Sequence, residues 1–158
     1  MITCALFTAL ALPLPPTTID TSRSFATLSV KGQATFAATR TTPVVSLYSD
    51  CSIRVGYEVL EIQIARELTS NQCLTNHVMT HEQKHIDLYK ERLNLMVQRL
   101  PELTKEHGLE KAFEIVWTEV KKEQRALDTY DEYQSNMTAC YGDIRTKVNF
   151  ANLKGDFE

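Results

Sequence analysis

The chain has 158 residues and a formal net charge of −3, so the simplest expectation is one domain with its own hydrophobic core. Its charges are of mixed sign, and no basic patch is interleaved with aromatic residues. This pattern argues against nucleic acid or an anionic membrane surface as a partner. A small enzyme acting on a peptide or protein fits these properties, and nothing in them indicates an oligomeric state.

The first 20 residues are predicted to lie outside the fold. Residues 2–12 are almost entirely apolar or small, and the Pro-rich run at 13–18 favours an extended linker over a helix. The apolar run is too short to span a bilayer, but its length suits the hydrophobic part of a secretory signal. No Lys or Arg precedes it, so a truncated start or an apolar arm is the alternative. We therefore expect a secreted or periplasmic protein with a folded domain over 21–142 and a polar tail over 143–158.

Cysteine usage is consistent with export. Cys4 falls in the apolar segment, whereas Cys51, Cys73 and Cys140 belong to the predicted domain. Removal of the segment would leave one disulfide and one free thiol, whose identities the sequence does not determine. Small buried thiols in a reducing compartment are the alternative.

A small antiparallel sheet is predicted between the linker and the middle of the chain. Short β-compatible runs cover 25–30, 34–39 and 44–48, with a possible hairpin turn at 31–33. The clearest strand signal is an alternation of apolar residues that then changes phase: Ile53, Val55, Tyr57 and Val59, followed by Leu60, Ile62 and Ile64. The phase change indicates a bulge or the end of the strand, and 61–68 could instead be helical.

The most informative stretch is His81-Glu82-Gln83-Lys84-His85, the HExxH pattern of helical zinc hydrolases. On a helix, His81 and His85 lie one turn apart on the same face, so both rings can reach one metal ion. Glu82 would act as the general base toward a water whose pKa zinc lowers from about 15.7 toward about 7. The motif therefore predicts a zinc cofactor and a hydrolytic reaction.

The motif is predicted to lie on the core side of a long helix. N-cap residues at 69–72 precede it, and Pro101 should stop or kink the helix. Motif and apolar residues recur every three or four positions: Glu82, His85, Ile86, Tyr89, Leu93, Met96 and Leu100. His77 lies too far along the axis to join His81 and His85 on one ion.

A catalytic zinc needs a third protein ligand. A second long helix is predicted over 109–135. If it runs antiparallel to the first with a turn at 101–107, residue n of the first helix faces about residue 207 minus n of the second. Glu123 then lies nearest the histidines and is the first choice. Glu119, Asp128 and Asp131 are the alternatives.

These features resemble the bacterial family of predicted secreted zinc-dependent proteases, which is similar in plan to the minimal gluzincins. The resemblance rests on Cys51-Ser52-Ile53-Arg54-Val55, a strand from Tyr57 to Ala65, the motif through Ile86, and Tyr130-Asp131 in the second helix. It implies an α+β, zincin-like fold in which a small sheet precedes the HExxH helix and a second antiparallel helix brings the third ligand. It also implies that an extended peptide pairs with the strand before the motif. Asn136-Met137 stand where the family has His-Gly.

Together these features predict a zinc metallopeptidase with His81, His85 and Glu123 as ligands and Glu82 as general base. Two alternatives belong to other functional classes. One is a catalytically degenerate protein in which zinc stabilises a binding surface. The other is a structural helical adaptor without metal, whose histidines are solvated.

Overall fold

The computed structural model describes residues 4–29 and 35–152, except for the side chains of Tyr130, Tyr133 and 144–152. This part of the chain is α+β, as predicted, with a small sheet and several helices. Its elements are β1 (Thr8–Ala11), β2 (Thr17–Asp20), α1 (Phe25–Leu28), β3 (Ala37–Leu47), β4 (Ser52–Ile64), a 3₁₀ turn (Arg66–Leu68), α2 (Gln72–His107), α3 (Leu109–Leu127) and α4 (Tyr130–Asn152). Among the described helices, none has the length and apolar character needed to cross a membrane.

The strand β4 is the centre of the sheet, and β1, β2 and β3 all pair with it. β1 runs parallel to β4, with Thr8 opposite Ser52 and Ala11 opposite Val55. The antiparallel sheet predicted from the sequence is therefore not confirmed. A parallel pair needs a long connection, and here residues 12–51 provide it.

The structure places part of the N-terminal segment in the sheet, although the sequence predicted that residues 1–20 lie outside the fold. Both β1 and β2 come from this segment, and Cys4 forms a disulfide with Cys51. A Cβ atom on Gly56 would lie only 2.7 Å from the Cβ of Leu12, so a side chain at position 56 would clash with the segment. The apolar and small residues that suit a secretory signal also suit a strand packed closely against β4.

The prediction of a strand over 25–30 is wrong for the residues that the structure describes. Phe25–Leu28 form the short helix α1, because the side chain of Ser24 accepts a hydrogen bond from the backbone N–H of Thr27 at 3.1 Å and caps the helix. The predicted turn at 31–33 lies outside the described residues. β3 begins at Ala37 and continues to Leu47, so it includes most of the run predicted over 44–48.

The strand β4 continues through the change of apolar phase to Ile64. Its buried apolar residues belong to both phases: Ile53, Val55, Tyr57, Leu60, Ile62 and Ile64. The phase change therefore does not mark the end of the strand. The helical alternative for 61–68 applies only to the 3₁₀ turn Arg66–Leu68.

The helix α2 passes through Pro101 and ends at His107, so Pro101 does not stop it, although a stop was one of the two predicted outcomes. The turn follows at Gly108, whose φ of +82° is readily adopted only by glycine. The second long helix predicted over 109–135 is interrupted, since α3 ends at Leu127 and α4 begins at Tyr130. α4 itself contains non-helical residues from Ala139 to Gly142.

Contacts within the chain divide it into two compact units. The first comprises the described parts of 1–16, 41–60 and 86–126. Tyr89 in this unit stacks on Trp117 with ring centroids 5.9 Å apart and accepts at its carbonyl oxygen a 2.8 Å hydrogen bond from the hydroxyl of Tyr57. The first unit is thus built around buried aliphatic residues and an aromatic cluster.

The second unit comprises the described parts of 17–40, 61–85 and 127–158. Its buried apolar residues are Phe25, Phe36, Ile62, Ile64, Ala65, Leu68, Leu74 and Val78. A disulfide between Cys73 and Cys140 joins the start of α2 to α4 within this unit. The whole HExxH motif belongs to the second unit.

Candidate metal centre

Three side chains of the second unit converge on one point. Nε2 of His81 lies 3.0 Å from Oδ1 of Asp128, and Nε2 of His85 lies 3.1 Å from the same oxygen. The two Nε2 atoms are 3.2 Å apart. His81 and His85 come from adjacent turns of α2, whereas Asp128 lies in the break between α3 and α4. Within the described residues, these three form a group with metal-ligand geometry.

The three distances fit a bound metal ion. A tetrahedral zinc ion with bonds of about 2.0–2.1 Å places its ligand atoms about 3.3 Å apart. The separations of 3.0, 3.1 and 3.2 Å are close to that value. Two nitrogen atoms and one carboxylate oxygen also form a donor set that zinc accepts.

Hydrogen bonding alone cannot satisfy all three contacts. An imidazole nitrogen either carries a proton or presents a lone pair, but not both. If both Nε2 atoms donate to Asp128, the 3.2 Å contact between them joins two donors and is not a hydrogen bond. If one Nε2 accepts instead, its lone pair faces the carboxylate oxygen. A cation shared by the three atoms removes this conflict, so the residues present fit a metal ion.

The group is buried on one side and open on the other. His81 and His85 are each 7% exposed, whereas the side chain of Asp128 is 60% exposed. The imidazoles are therefore fixed by packing, while solvent and small molecules can reach the group from the side of the carboxylate.

The electrostatics of the group favour positive charge between the ligands. The hydrogen bond with Asp128 raises the pKa of His81, despite the opposing effect of burial. Burial acts to raise the pKa of Asp128, but the hydrogen bonds with His81 and His85 outweigh it and hold that pKa well below its usual range. The carboxylate is thus ionised at neutral pH, as a metal ligand must be.

Glu82 lies in the same unit and is buried, but it is not one of the three converging residues. Thr39 of β3 donates a hydrogen bond from its hydroxyl to Oε2 of Glu82 at 2.7 Å. Burial raises the pKa of the Glu82 carboxyl, while the hydrogen bond from Thr39 and the nearby imidazoles oppose that rise. A carboxylate with a raised pKa that a hydroxyl holds in place suits a general base.

The structure does not bring Glu123, the first choice for the third ligand, into this group. Its carboxylate accepts a hydrogen bond from the guanidinium of Arg92, and Glu119 is held in the same way by Arg99. The physical reason is the position of the turn. Because the turn lies at Gly108 and not within 101–107, each residue of α3 faces a later residue of α2 than predicted.

The third member of the group, Asp128, is one of the alternatives that the sequence leaves open, and a local sequence signal favours it. Thr129-Tyr130-Asp131-Glu132 has the spacing of a capping box, which marks the first turn of a helix. In the structure the backbone N–H of Glu132 donates to the hydroxyl of Thr129 at 3.2 Å. Asp128 therefore lies just outside a helix, where its side chain can turn toward α2. Asp131, another alternative, is exposed in the first turn of α4.

A cavity of about 530 Å³ lies against the first turns of α2 in the second unit. His77 lines it together with Asn76 and Thr80. The Cys73–Cys140 disulfide forms part of its wall. Because His77 precedes His81 by one helical turn, the cavity adjoins the helix face that carries His81 and His85.

Comparisons of the chain with protein-family models, with curated proteins and with solved structures find no match.

Proposed function

We propose that this protein is an exported zinc-dependent peptidase. The observation that supports this most strongly is the convergence of three ligand atoms, Nε2 of His81, Nε2 of His85 and Oδ1 of Asp128, around one point. These residues would hold the zinc ion. Three protein ligands leave a fourth position free, which distinguishes catalytic zinc sites from structural ones. Bound zinc would polarise a substrate carbonyl and acidify a water molecule.

Glu82 is the residue that moves the proton in this proposal. Its carboxylate accepts a proton from the attacking water and then delivers it to the amine that leaves when the peptide bond breaks. The 2.7 Å hydrogen bond from Thr39 to Oε2 fixes the orientation of the carboxylate before substrate arrives. Proton transfer of this kind contributes about 10²–10⁴-fold to the rate.

The remaining residues of the site would bind the metal ion and orient the substrate. His81 and His85 are buried, so they give the metal two ligands that need no rearrangement. Asp128 lies on the exposed side, where an extended peptide would approach. The resemblance to secreted zinc-dependent proteases supports a peptide as the substrate.

Export is supported by the cysteines. All four are paired, as Cys4–Cys51 and Cys73–Cys140. Disulfides persist in the periplasm and outside the cell, and they are rare in a reducing cytosol. The proposed peptidase therefore acts in an oxidising compartment.

The test combines metal analysis with a Glu82→Gln variant. We expect about one zinc ion per wild-type chain and cleavage of a mixed peptide library. Glu82→Gln should retain zinc and lose cleavage by about 10²-fold or more. Glu123→Gln is the matched control, because this carboxylate lies outside the converging group, and it should retain both properties.

Three results would contradict the proposal in different ways. Cleavage by Glu82→Gln at the wild-type rate would show that Glu82 is not the base. Stoichiometric zinc without any cleavage by the wild type would favour the binding protein stabilised by zinc. Absence of zinc from protein purified with zinc present would favour the adaptor.

A further inference from the structure

The second nitrogen of His81 is a buried polar atom that lacks a hydrogen bond in the described structure. This atom, Nδ1, lies on the opposite edge of the ring from the Nε2 that faces His85 and Asp128. Oε2 of Glu132 lies 3.4 Å from it. Buried imidazole nitrogens normally have a partner, so this carboxylate is in the position to provide one.

The backbone of Glu132 is fixed by the start of α4. Its N–H donates to the hydroxyl of Thr129 at 3.2 Å, which completes one half of a capping box. In a complete capping box the Glu side chain would turn back to the N–H of the capping residue. Here the carboxylate reaches α2 instead, where its Oε1 accepts a 2.9 Å hydrogen bond from Nζ of Lys84.

Lys84 and His81, which both lie on α2, therefore face the two oxygens of the Glu132 carboxylate. The Lys84 side chain is 50% exposed and that of Glu132 is 32% exposed, so their ion pair contributes little to stability by itself. Its effect is to direct Oε2 toward His81. Shortening the 3.4 Å separation to a hydrogen bond of about 2.9 Å requires only a small movement of a partly exposed side chain.

We propose that Glu132 is a positioning residue of the metal centre, which accepts the Nδ1–H of His81 and so keeps the lone pair of Nε2 directed at the metal. A neutral imidazole has a single ring proton, and a carboxylate at Nδ1 determines which nitrogen carries it. Carboxylates that bind the far nitrogen of a metal-ligating histidine both orient the ring and strengthen its donation. The inference rests on the proposed metal site, but not on peptide hydrolysis.

The test consists of two measurements. Zinc affinity is measured by competition with a chromophoric chelator, and the visible absorption spectrum is recorded for the cobalt-substituted protein. Glu132→Gln removes the charge while it keeps the size of the side chain. We expect its zinc affinity to fall by about 10–100-fold, with a changed cobalt spectrum. Asp131→Asn is the matched control, because Asp131 is the exposed neighbour in the same turn, and it should match the wild type.

A purely structural role for Glu132 would give a different result. The melting temperature of the metal-free protein should be the same for Glu132→Gln and Asp131→Asn, because the ion pair with Lys84 is partly exposed. If Glu132→Gln lowers this temperature and leaves zinc affinity unchanged, the inference is wrong. Equal zinc affinity of the two variants would also overturn it.

Failure of this inference is distinguishable from failure of the proposed activity. If Glu132→Gln weakens zinc binding but the wild-type protein cleaves no peptide, the positioning role stands and the peptidase does not. If the wild type cleaves peptides and both variants bind zinc equally, the peptidase stands and the positioning role does not. A wild type that binds no zinc overturns both.

Discussion

Replacing Asp128 by alanine removes the one exposed member of the ligand group and tests the geometry most directly. Its Oδ1 contacts both Nε2 atoms, at 3.0 Å to His81 and 3.1 Å to His85. The Asp128→Ala variant keeps both imidazoles but loses the charge and the third ligand. Because the carboxylate contacts two buried imidazoles, the metal-free fold should itself lose about 1 kcal/mol, so each variant is compared with its own metal-free form.

The expected effect on stability in the presence of zinc follows from mass action. Free zinc at 100 times the dissociation constant stabilises the wild type by about 2.7 kcal/mol. For a chain of this size, that corresponds to a rise in melting temperature of about 5–11 °C. Loss of a residue that only orients a ligand costs up to about 100-fold in affinity, so loss of a ligand should cost at least that much. At the same zinc concentration Asp128→Ala would then gain at most about 0.4 kcal/mol, or about 1–2 °C.

The assay is thermal unfolding with zinc and with a chelator, followed by circular dichroism of the helices. Fluorescence is less suitable, because the single tryptophan, Trp117, belongs to the first unit and the ligands belong to the second. Glu123→Ala is the control and should retain the full zinc-dependent shift. If Glu123→Ala loses the shift while Asp128→Ala keeps it, the third ligand is the one predicted from the sequence and our assignment is refuted.

Three further predictions concern the surroundings of the site and the fold. Thr39→Val should lower the free energy of unfolding in urea by about 1–3 kcal/mol relative to Thr39→Ser, because valine cannot donate to the buried carboxylate; equal stabilities would exclude a role for the hydrogen bond. Replacing both Cys73 and Cys140 by serine opens a link between residues separated by 67 positions and should cost about 4 kcal/mol in the same assay; a loss below about 1 kcal/mol would contradict this. Gly56→Val should destabilise by about 1–3 kcal/mol, because its Cβ would lie 2.7 Å from an atom of the N-terminal segment, and wild-type stability would show that the segment is not packed there.

The pair His81 and His85 could be predicted from the sequence, whereas the third residue of the group could not be singled out. The approach of His81 and His85 depends only on helical periodicity over five residues. The third ligand depends on how two helices align, and an error in the turn shifts every pairing along them. Pro101 is a strong signal for a helix end, yet α2 continues past it to His107.

The sheet shows the same division between local and remote information. The alternation in β4 is local and predicts that strand well. The pairing of β1 with β4 joins residues more than 40 positions apart, such as Thr8 and Ser52, and no local pattern specifies it. Moreover, an apolar stretch near an N-terminus has the same composition in an export signal and in a buried strand, so the sequence could not separate these roles.

The parallel pairing of β1 with β4 has a consequence for how the chain matures. β1 is synthesised early but cannot join the sheet until Ser52–Val55 has followed, so this pairing must close a long loop, which slows folding. Until then Cys4 is an unprotected thiol, and both Cys51 and Cys73 become available to it before Cys140 exists. Oxidation in the order of synthesis pairs consecutive cysteines and gives Cys4–Cys51 first and Cys73–Cys140 later, which are the two native bonds. Oxidation delayed until all four thiols are present allows non-native pairs, and the yield of native protein would then depend on thiol exchange by an oxidoreductase.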